Sequence, residues 1–196
     1  MPNIPKIQII LGSTRRGREG EKVAKWILNR SENRQDLVAE LLDLRDWPLP
    51  FFDEPMSPSV LKGNYSNDTA TRWAAKVKEA DAYIIVTPEY NHGYPGVLKN
   101  ALDYAYSEWN TKPVAFVGYS GGPLGGARAV EQLRQVVLEL QMVPLRAGMQ
   151  IGMVGGFFDD SGKAKDASMN DRAKSIYDQL VDWANFLRTR REQIQP

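Results

Sequence analysis

Apolar residues in this chain gather in short blocks whose spacing switches between that of a strand and that of a helix. Ile7, Ile9, Ile10 and Leu11 form a run too short for a helix, and it stops at Gly12. After a polar stretch, Val23, Trp26 and Ile27 recur on one helical face, which predicts a helix over about Glu19–Arg30, ended by the polar run Ser31–Asp36. Leu37–Asp43 reads as a second strand. Asp68 or Thr69 is expected to cap a helix reaching about Glu79, with Trp73 and Val77 inward. Ala82–Thr87 is a buried strand, and Leu98, Ala101, Leu102 and Ala105 follow at helical spacing. Val114–Tyr119 is the next strand, Val130, Leu133, Val137 and Leu140 mark the next helix, and Val143–Ile151 holds the last strand. Gly155–Asn170 reads as loop, before a final helix with Ile176, Leu180, Trp183 and Leu187 inward.

Strand and helix alternate about five times, which predicts an α/β fold: a parallel sheet with helices on both faces, in one domain spanning residues 1–196. In such sheets ligands lie beyond the carboxyl ends of the strands, where the strand order reverses. Three loops at that edge are unusual: Gly12–Gly20, Pro88–Gly96 and Ser120–Gly126. A fourth stretch, Asp46–Ser66, carries Trp47, Phe51 and Phe52, and its prolines (Pro48, Pro50, Pro55 and Pro58) rule out a long regular element. It is either a passive surface loop, or one whose Phe51 and Phe52 cover a flat ligand or pack on a second subunit.

The first loop, Gly12-Ser13-Thr14-Arg15-Arg16-Gly17-Arg18-Glu19-Gly20, joins a strand to a helix start. A helix N-terminus leaves N–H groups unpaired and carries about half a positive charge, which matches phosphate. The loop fits neither the triphosphate motif G-x-x-x-x-G-K-[ST] nor the dinucleotide fingerprint G-x-G-x-x-G. Its side chains, Ser13 and Arg15 above all, must then do more of the binding. Charge-assisted hydrogen bonds at about 1.5–3 kcal/mol each would bring such a site to micromolar affinity. The competing reading is an ordinary turn, with Ser13 and Thr14 capping the helix and the arginines in water. Pro88-Glu89-Tyr90-Asn91-His92-Gly93-Tyr94-Pro95 leaves a buried strand and enters a helix at a proline, which suits a first helical turn. Ser120-Gly121-Gly122 lets backbone approach a flat ring. A planar heterocycle with a phosphate tail suits all three loops together.

Composition narrows the field without adding to it. The 196 residues are 42% hydrophobic and 25% charged, with a net charge of +1, so nothing general points to nucleic acid or an acidic membrane surface. Cysteine is absent and His92 is the lone histidine, which excludes disulfides and thiolate chemistry and argues against a transition-metal site. The N-terminal pattern lacks the form of a signal peptide and no stretch is apolar enough to span a bilayer, so the cytoplasm is the expected compartment.

With Gly12-Ser13-Thr14-Arg15 and Gly20, Pro88-Glu89-Tyr90-Asn91 followed by Pro95, Leu98-Lys99-Asn100 and Asp103, and Ser120-Gly121-Gly122, the chain resembles the NAD(P)H-dependent FMN reductases of flavodoxin-like fold, which include quinone and azo-compound reductases. The resemblance runs from about Ile7 to Ile151. It implies a five-stranded parallel sheet and FMN as cofactor, with NADPH or NADH as co-substrate. It further implies that Ser13 and Arg15 hold the FMN phosphate with help from Arg18, Glu19 and Gly20, that Pro88, Glu89, Tyr90 and Asn91 line the isoalloxazine ring largely through backbone, and that Ser120, Gly121 and Gly122 close its other side. Electron acceptors would be quinones, free flavin, azo or nitro compounds, and the protein a homodimer or homotetramer. The cofactor would carry the redox chemistry, with no catalytic acid or base required.

Other residues admit two readings each. His92 is a proton donor to a reduced quinone or a histidine at the pocket rim. Glu89 tunes the flavin or stabilises its loop. Lys99 and Asp103, at i and i+4, form at least a helix ion pair. The helix Val130–Leu140 packs in the core or forms a dimer seam. Ser120 as a hydrolase nucleophile is disfavoured, since the one candidate base, His92, lies upstream. Two non-enzymatic functions also fit a flavin site: an electron carrier, although carriers of that type are acidic and this chain is neutral, and a flavin-bound regulator.

Overall fold

The computed structural model describes residues 4–194. Among them are five strands: β1 (Lys6–Leu11), β2 (Val38–Asp43), β3 (Ala82–Pro88), β4 (Pro113–Tyr119) and β5 (Val143–Ile151). All pair in parallel, in the order β2-β1-β3-β4-β5. This is the flavodoxin-like doubly wound sheet, with its reversal of strand order between β1 and β3. The helices are α1 (Gly20–Asn29), α2 (Pro58–Leu61), α3 (Asp68–Lys78), α4 (Gly96–Asp103), α5 (Ala127–Glu139) and α6 (Ser168–Ile194).

The period-two alternation of the strands sorts the core into two layers. Ile7, Ile9, Leu11, Ile84, Val86, Val117 and Tyr119 pack under α1 and α6. Ile10, Tyr83, Ile85 and Phe116 pack under α3, α4 and α5. β3 and β4 are buried along their whole length, as expected of central strands covered on both faces, and edge strand β2 is half-buried. The apolar face of α5 (Val130, Leu133, Val137) lies against the sheet, so core packing accounts for it.

Several boundaries differ from expectation for local reasons. The cap of α3 is Asn67, not Asp68 or Thr69: its side chain accepts from the N–H groups of Thr69 at 2.9 Å and Ala70 at 3.2 Å, from an extended backbone that Asp68, already helical, cannot adopt. α4 ends at Asp103, so Ala105 is buried beyond the helix. α6 begins at Ser168, shortening the expected loop, and Val154–Gly156 forms a 3-10 turn. Trp183, expected inward, is 40% exposed. The buried arc of α6 centres on Ala173, Leu180 and Ala184, leaving Trp183 at its margin, where it stacks edge-on with exposed Phe186. Within Asp46–Ser66 the helical pieces are the end of a 3-10 turn, Leu44–Asp46, and the single turn α2. Phe52 packs edge-on against Tyr104 at 5.1 Å, whereas Phe51 is 86% exposed.

Candidate functional site

The β1–α1 loop leaves the sheet in contact with β3. Gly12 donates its N–H to the Val86 carbonyl at 2.9 Å, and a Cβ there would lie 2.8 Å from a Leu98 methyl, so a side chain could fit only by pushing Leu98 aside. Ser13 is fully buried, with its Oγ 2.7 Å from the Tyr90 hydroxyl. That contact ties the first loop to the second across 77 residues of sequence. Arg15 and Arg16 point to solvent. The Arg18 guanidinium is instead buried and turned inward. It donates to the Ser13 carbonyl and pairs with both oxygens of Asp43, at the end of β2, with Nη1 2.9 Å from Oδ1. Burial works to raise the Asp43 carboxyl's pKa, but the Arg18 bonds outweigh it and hold the group below the usual carboxylate range. Arg45 adds a clamp from outside, donating to the Arg15 carbonyl at 2.7 Å. Glu19 turns away to Lys22 at 3.0 Å. α1 then starts at Gly20 with no side chain capping it, so Ser13 and Thr14 do not serve as caps.

The second loop is a tight reversal. Tyr90 and Gly93 exchange N–H···O bonds of 2.8 and 3.0 Å, and Asn91 and His92 between them have φ of 50° and 71°. This is the two-residue hairpin geometry in which both central residues are left-handed, a conformation asparagine tolerates well and histidine less so. α5 holds the hairpin in place. Arg128 pairs with Glu89, whose carboxylate also accepts from the Arg128 N–H at 3.2 Å, and Gln132 donates to the His92 carbonyl at 2.8 Å. The α5 cap position is Gly126, which has no side chain, so Glu89 satisfies the helix start from a distant loop. Burial alone would raise the Glu89 carboxyl's pKa; Arg128 and the helix N–H groups hold it below the usual range. Glu89 is thus a loop stabiliser in this geometry. His92 Nε2 lies against the Arg128 guanidinium, which can only donate, so that nitrogen accepts and the ring sits at the rim.

The third loop completes a cavity of about 470 Å³ lined by Glu89, Asn91, His92, Ser120, Gly121 and Gly122, with Arg128 beside them. A Cβ on Gly121 or Gly122 would meet nothing within 4 Å, so the wall there is bare backbone. Its volume falls within the range of about 300–1,000 Å³ usual for small-molecule sites. A larger hollow of about 690 Å³ lies on the far side of α1, between Lys22, Trp26 and Asp159–Gly162; of the sequence-derived residues it touches only Glu19. Among the described residues no cluster of three or more His, Cys, Asp or Glu side chains is placed to hold a metal ion, and no helix is long and apolar enough to cross a membrane.

The expected residues therefore fall into groups. Ser13 and Tyr90 meet, and Glu89, Asn91, Ser120, Gly121 and Gly122 share one cavity. Pro88 is buried at the end of β3, in register with Tyr119, and Gly20 lies under the Tyr119 ring. Arg15 remains free at the loop tip, and Arg18 and Glu19 are engaged elsewhere. Sequence reasoning missed Asp43, Arg45, Tyr119, Arg128 and Gln132. Only Tyr119 carried a usable signal, since alternation along β4 places it on the α1 face at the strand's carboxyl end.

A flavodoxin-type sheet with phosphate-suited and ring-suited loops on one rim defines a nucleotide-binding α/β protein. The family model for NADPH-dependent FMN reductase matches residues 5–154, and the chain belongs to that family. It is 41% identical over 138 residues to an NAD(P)H-dependent FMN reductase of Schizosaccharomyces pombe, covering 70% of this chain and 68% of that one. It is 29% identical over 188 residues to a quinone reductase of Pseudomonas putida, covering 93% and 94%. Among solved structures, the flavoenzyme NAD(P)H:(acceptor) oxidoreductase FerB from Paracoccus denitrificans superposes with a TM-score of 0.75 at 26% identity, over 92% of this chain and 97% of that one. The protein is an NAD(P)H-dependent oxidoreductase with FMN as cofactor, acting on small-molecule electron acceptors.

Proposed function

We propose that the protein carries out two-electron reduction of quinones, free flavin, azo or nitro compounds at the expense of NADPH or NADH, with FMN at the carboxyl rim of one flavodoxin-like domain. The observation that carries this reading is the 2.7 Å contact between Ser13 and Tyr90, which joins the phosphate-suited loop to the ring-suited loop in one site. The donor set fits FMN: Ser13, Arg15 and the uncapped start of α1 face a phosphate, and the Tyr90–Gly93 hairpin with the bare wall at Gly121 and Gly122 faces a planar ring. When bound, FMN supplies hydride acceptance and two-electron release. The protein's own residues orient it. Arg18 and Asp43 preset the first loop, and Arg128 and Gln132 hold the hairpin against α5. A homodimer or homotetramer and a cytoplasmic location belong to the same reading; the largely exposed ring of Phe51 supports a contact with a second subunit.

The test is NADPH oxidation by purified, FMN-loaded protein with and without a benzoquinone. Many turnovers per flavin, dependent on the quinone, are expected. Protein that binds FMN yet turns over no NADPH or NADH with any of the four acceptor classes would return the function to an electron carrier or a flavin-bound regulator.

A further inference from the structure

Tyr119 ends β4, one residue before the third loop. It is 4% exposed, and its hydroxyl is buried without a hydrogen-bond partner. The ring packs in the core layer under α1 and α6, work that phenylalanine would do equally well without burying an unpaired O–H. The hydroxyl's position is informative. A Cβ built on Gly20 would lie 2.1 Å from Tyr119 Oη, so the hydroxyl sits directly over the first residue of α1, whose start no side chain caps. Ser13, buried and bonded to the Tyr90 hydroxyl, lies on the same loop. Three hydroxyls thus converge there from the ends of three neighbouring strands, β1, β3 and β4. Burial, with the Tyr90 hydroxyl nearby, pushes the Tyr119 phenol up to about 12; the Ser13 hydroxyl, close by but bonded to Tyr90 and outside hydrogen-bond geometry with Tyr119, and the Arg18 and Arg15 charges act weakly the other way. At neutral pH Tyr119 is therefore a hydrogen-bond donor.

We propose that Tyr119 is a phosphate-binding residue: its hydroxyl donates to the phosphate monoester of FMN at the start of α1, and so helps the site select FMN over riboflavin. The proposal rests on the β1–α1 loop being the phosphate cradle. It adds to that cradle a residue from β4, far away in sequence. It also gives Gly20 a specific reason to be glycine, because any side chain there would occupy the place of the hydroxyl.

The experiment is titration of apoprotein with FMN and, separately, with riboflavin, followed by quenching of flavin fluorescence. Wild type is expected to prefer FMN. Tyr119→Phe should weaken FMN about tenfold, equivalent to about 1.4 kcal/mol, while leaving riboflavin unchanged. Gly20→Ala, which displaces the hydroxyl without removing it, should lower the same FMN-to-riboflavin preference. Riboflavin affinity serves as the check on folding for both variants. If Tyr119→Phe keeps the full wild-type preference, or loses FMN and riboflavin in parallel, Tyr119 only shapes the pocket and the proposal is overturned. If wild type itself shows no preference for FMN, the phosphate cradle falls and the proposal with it.

Discussion

The two rims of the sheet treat their charges in opposite ways. At the amino rim nearly every charge is answered by the protein. Lys6 lies 2.9 Å from Glu40, Lys76 lies 2.8 Å from Glu40 and 2.9 Å from Glu79, and Asp81 takes Arg188 at 2.6 Å and Arg191 at 2.8 Å. Lys112, buried before β4, donates to the Lys78 carbonyl at 3.0 Å, the Tyr83 hydroxyl at 3.1 Å and the Val77 carbonyl at 3.3 Å, closing the end of α3. At the carboxyl rim donors are left over: the Tyr119 hydroxyl, the Arg15 guanidinium and the uncapped start of α1. The residue types are much the same at both rims. What marks the functional one is donor capacity that the fold does not use.

Two pairs at the carboxyl rim are answered by the protein, Arg128 with Glu89 and Arg18 with Asp43, and removing half of the second should have the largest effect. Asp43→Ala strands a buried guanidinium whose side chain is 2% exposed. Breaking a pair of this kind costs about 3 kcal/mol of stability or more, read as a lower denaturation midpoint in urea. Saturating FMN should restore part of that loss, because binding to the native state stabilises it and a phosphate offers Arg18 a new partner. A variant as stable as wild type would mean that the first loop is not preset by this pair.

Lys112 sharpens the contrast from the other side. Burial lowers its pKa from 10.5 to about 7, as no carboxylate faces it closely enough to compensate. Between those values the unfolded chain holds a proton that the native protein has released, so stability attributable to Lys112 rises with pH across that window and is lowest below it. A tenfold difference in proton affinity is worth about 1.4 kcal/mol, and taking half the lowering for a site that relaxes when charged leaves about 2 kcal/mol. The stability of wild type relative to Lys112→Met should therefore climb by about that amount from about pH 6 to about pH 10. Parallel curves for the two proteins would show that Lys112 stays charged in the folded state.

These pairs also show which parts of the molecule could be read from the sequence. The strands, the order of elements and the three loops were legible, because a buried parallel strand and a glycine-rich turn are written in consecutive residues. Ser13 and Tyr90 were each singled out within their own motif, although nothing local said that they touch. What stayed hidden was set by partners far along the chain. Arg15, Arg16 and Arg18 look alike in sequence; only Asp43, 25 residues on, turns Arg18 inward and leaves Arg15 outside. Glu89 caps α5 across 39 residues, since Gly126 cannot cap it. Trp183 failed for a related reason: its helical phase was read correctly to within one position, but the sheet it packs on determines where the buried arc is centred.

Arg15 provides the smallest and most selective test of unused donor capacity. In the protein alone its side chain has one marginal contact, 3.5 Å to the Gly17 carbonyl, so Arg15→Ala should leave the denaturation midpoint where it is. FMN affinity should nevertheless fall about tenfold, since one charge-assisted bond to phosphate is worth about 1.5 kcal/mol or more. The loss should shrink as salt is added, because an exposed guanidinium is screened over about 10 Å at 0.1 M ionic strength. Asp43→Ala and Arg15→Ala thus alter the same loop with opposite signatures, stability in one and affinity in the other. Unchanged FMN affinity in Arg15→Ala would show that the loop's free charge faces only water, and the phosphate would then have to be held by Ser13, Tyr119 and the helix start without it.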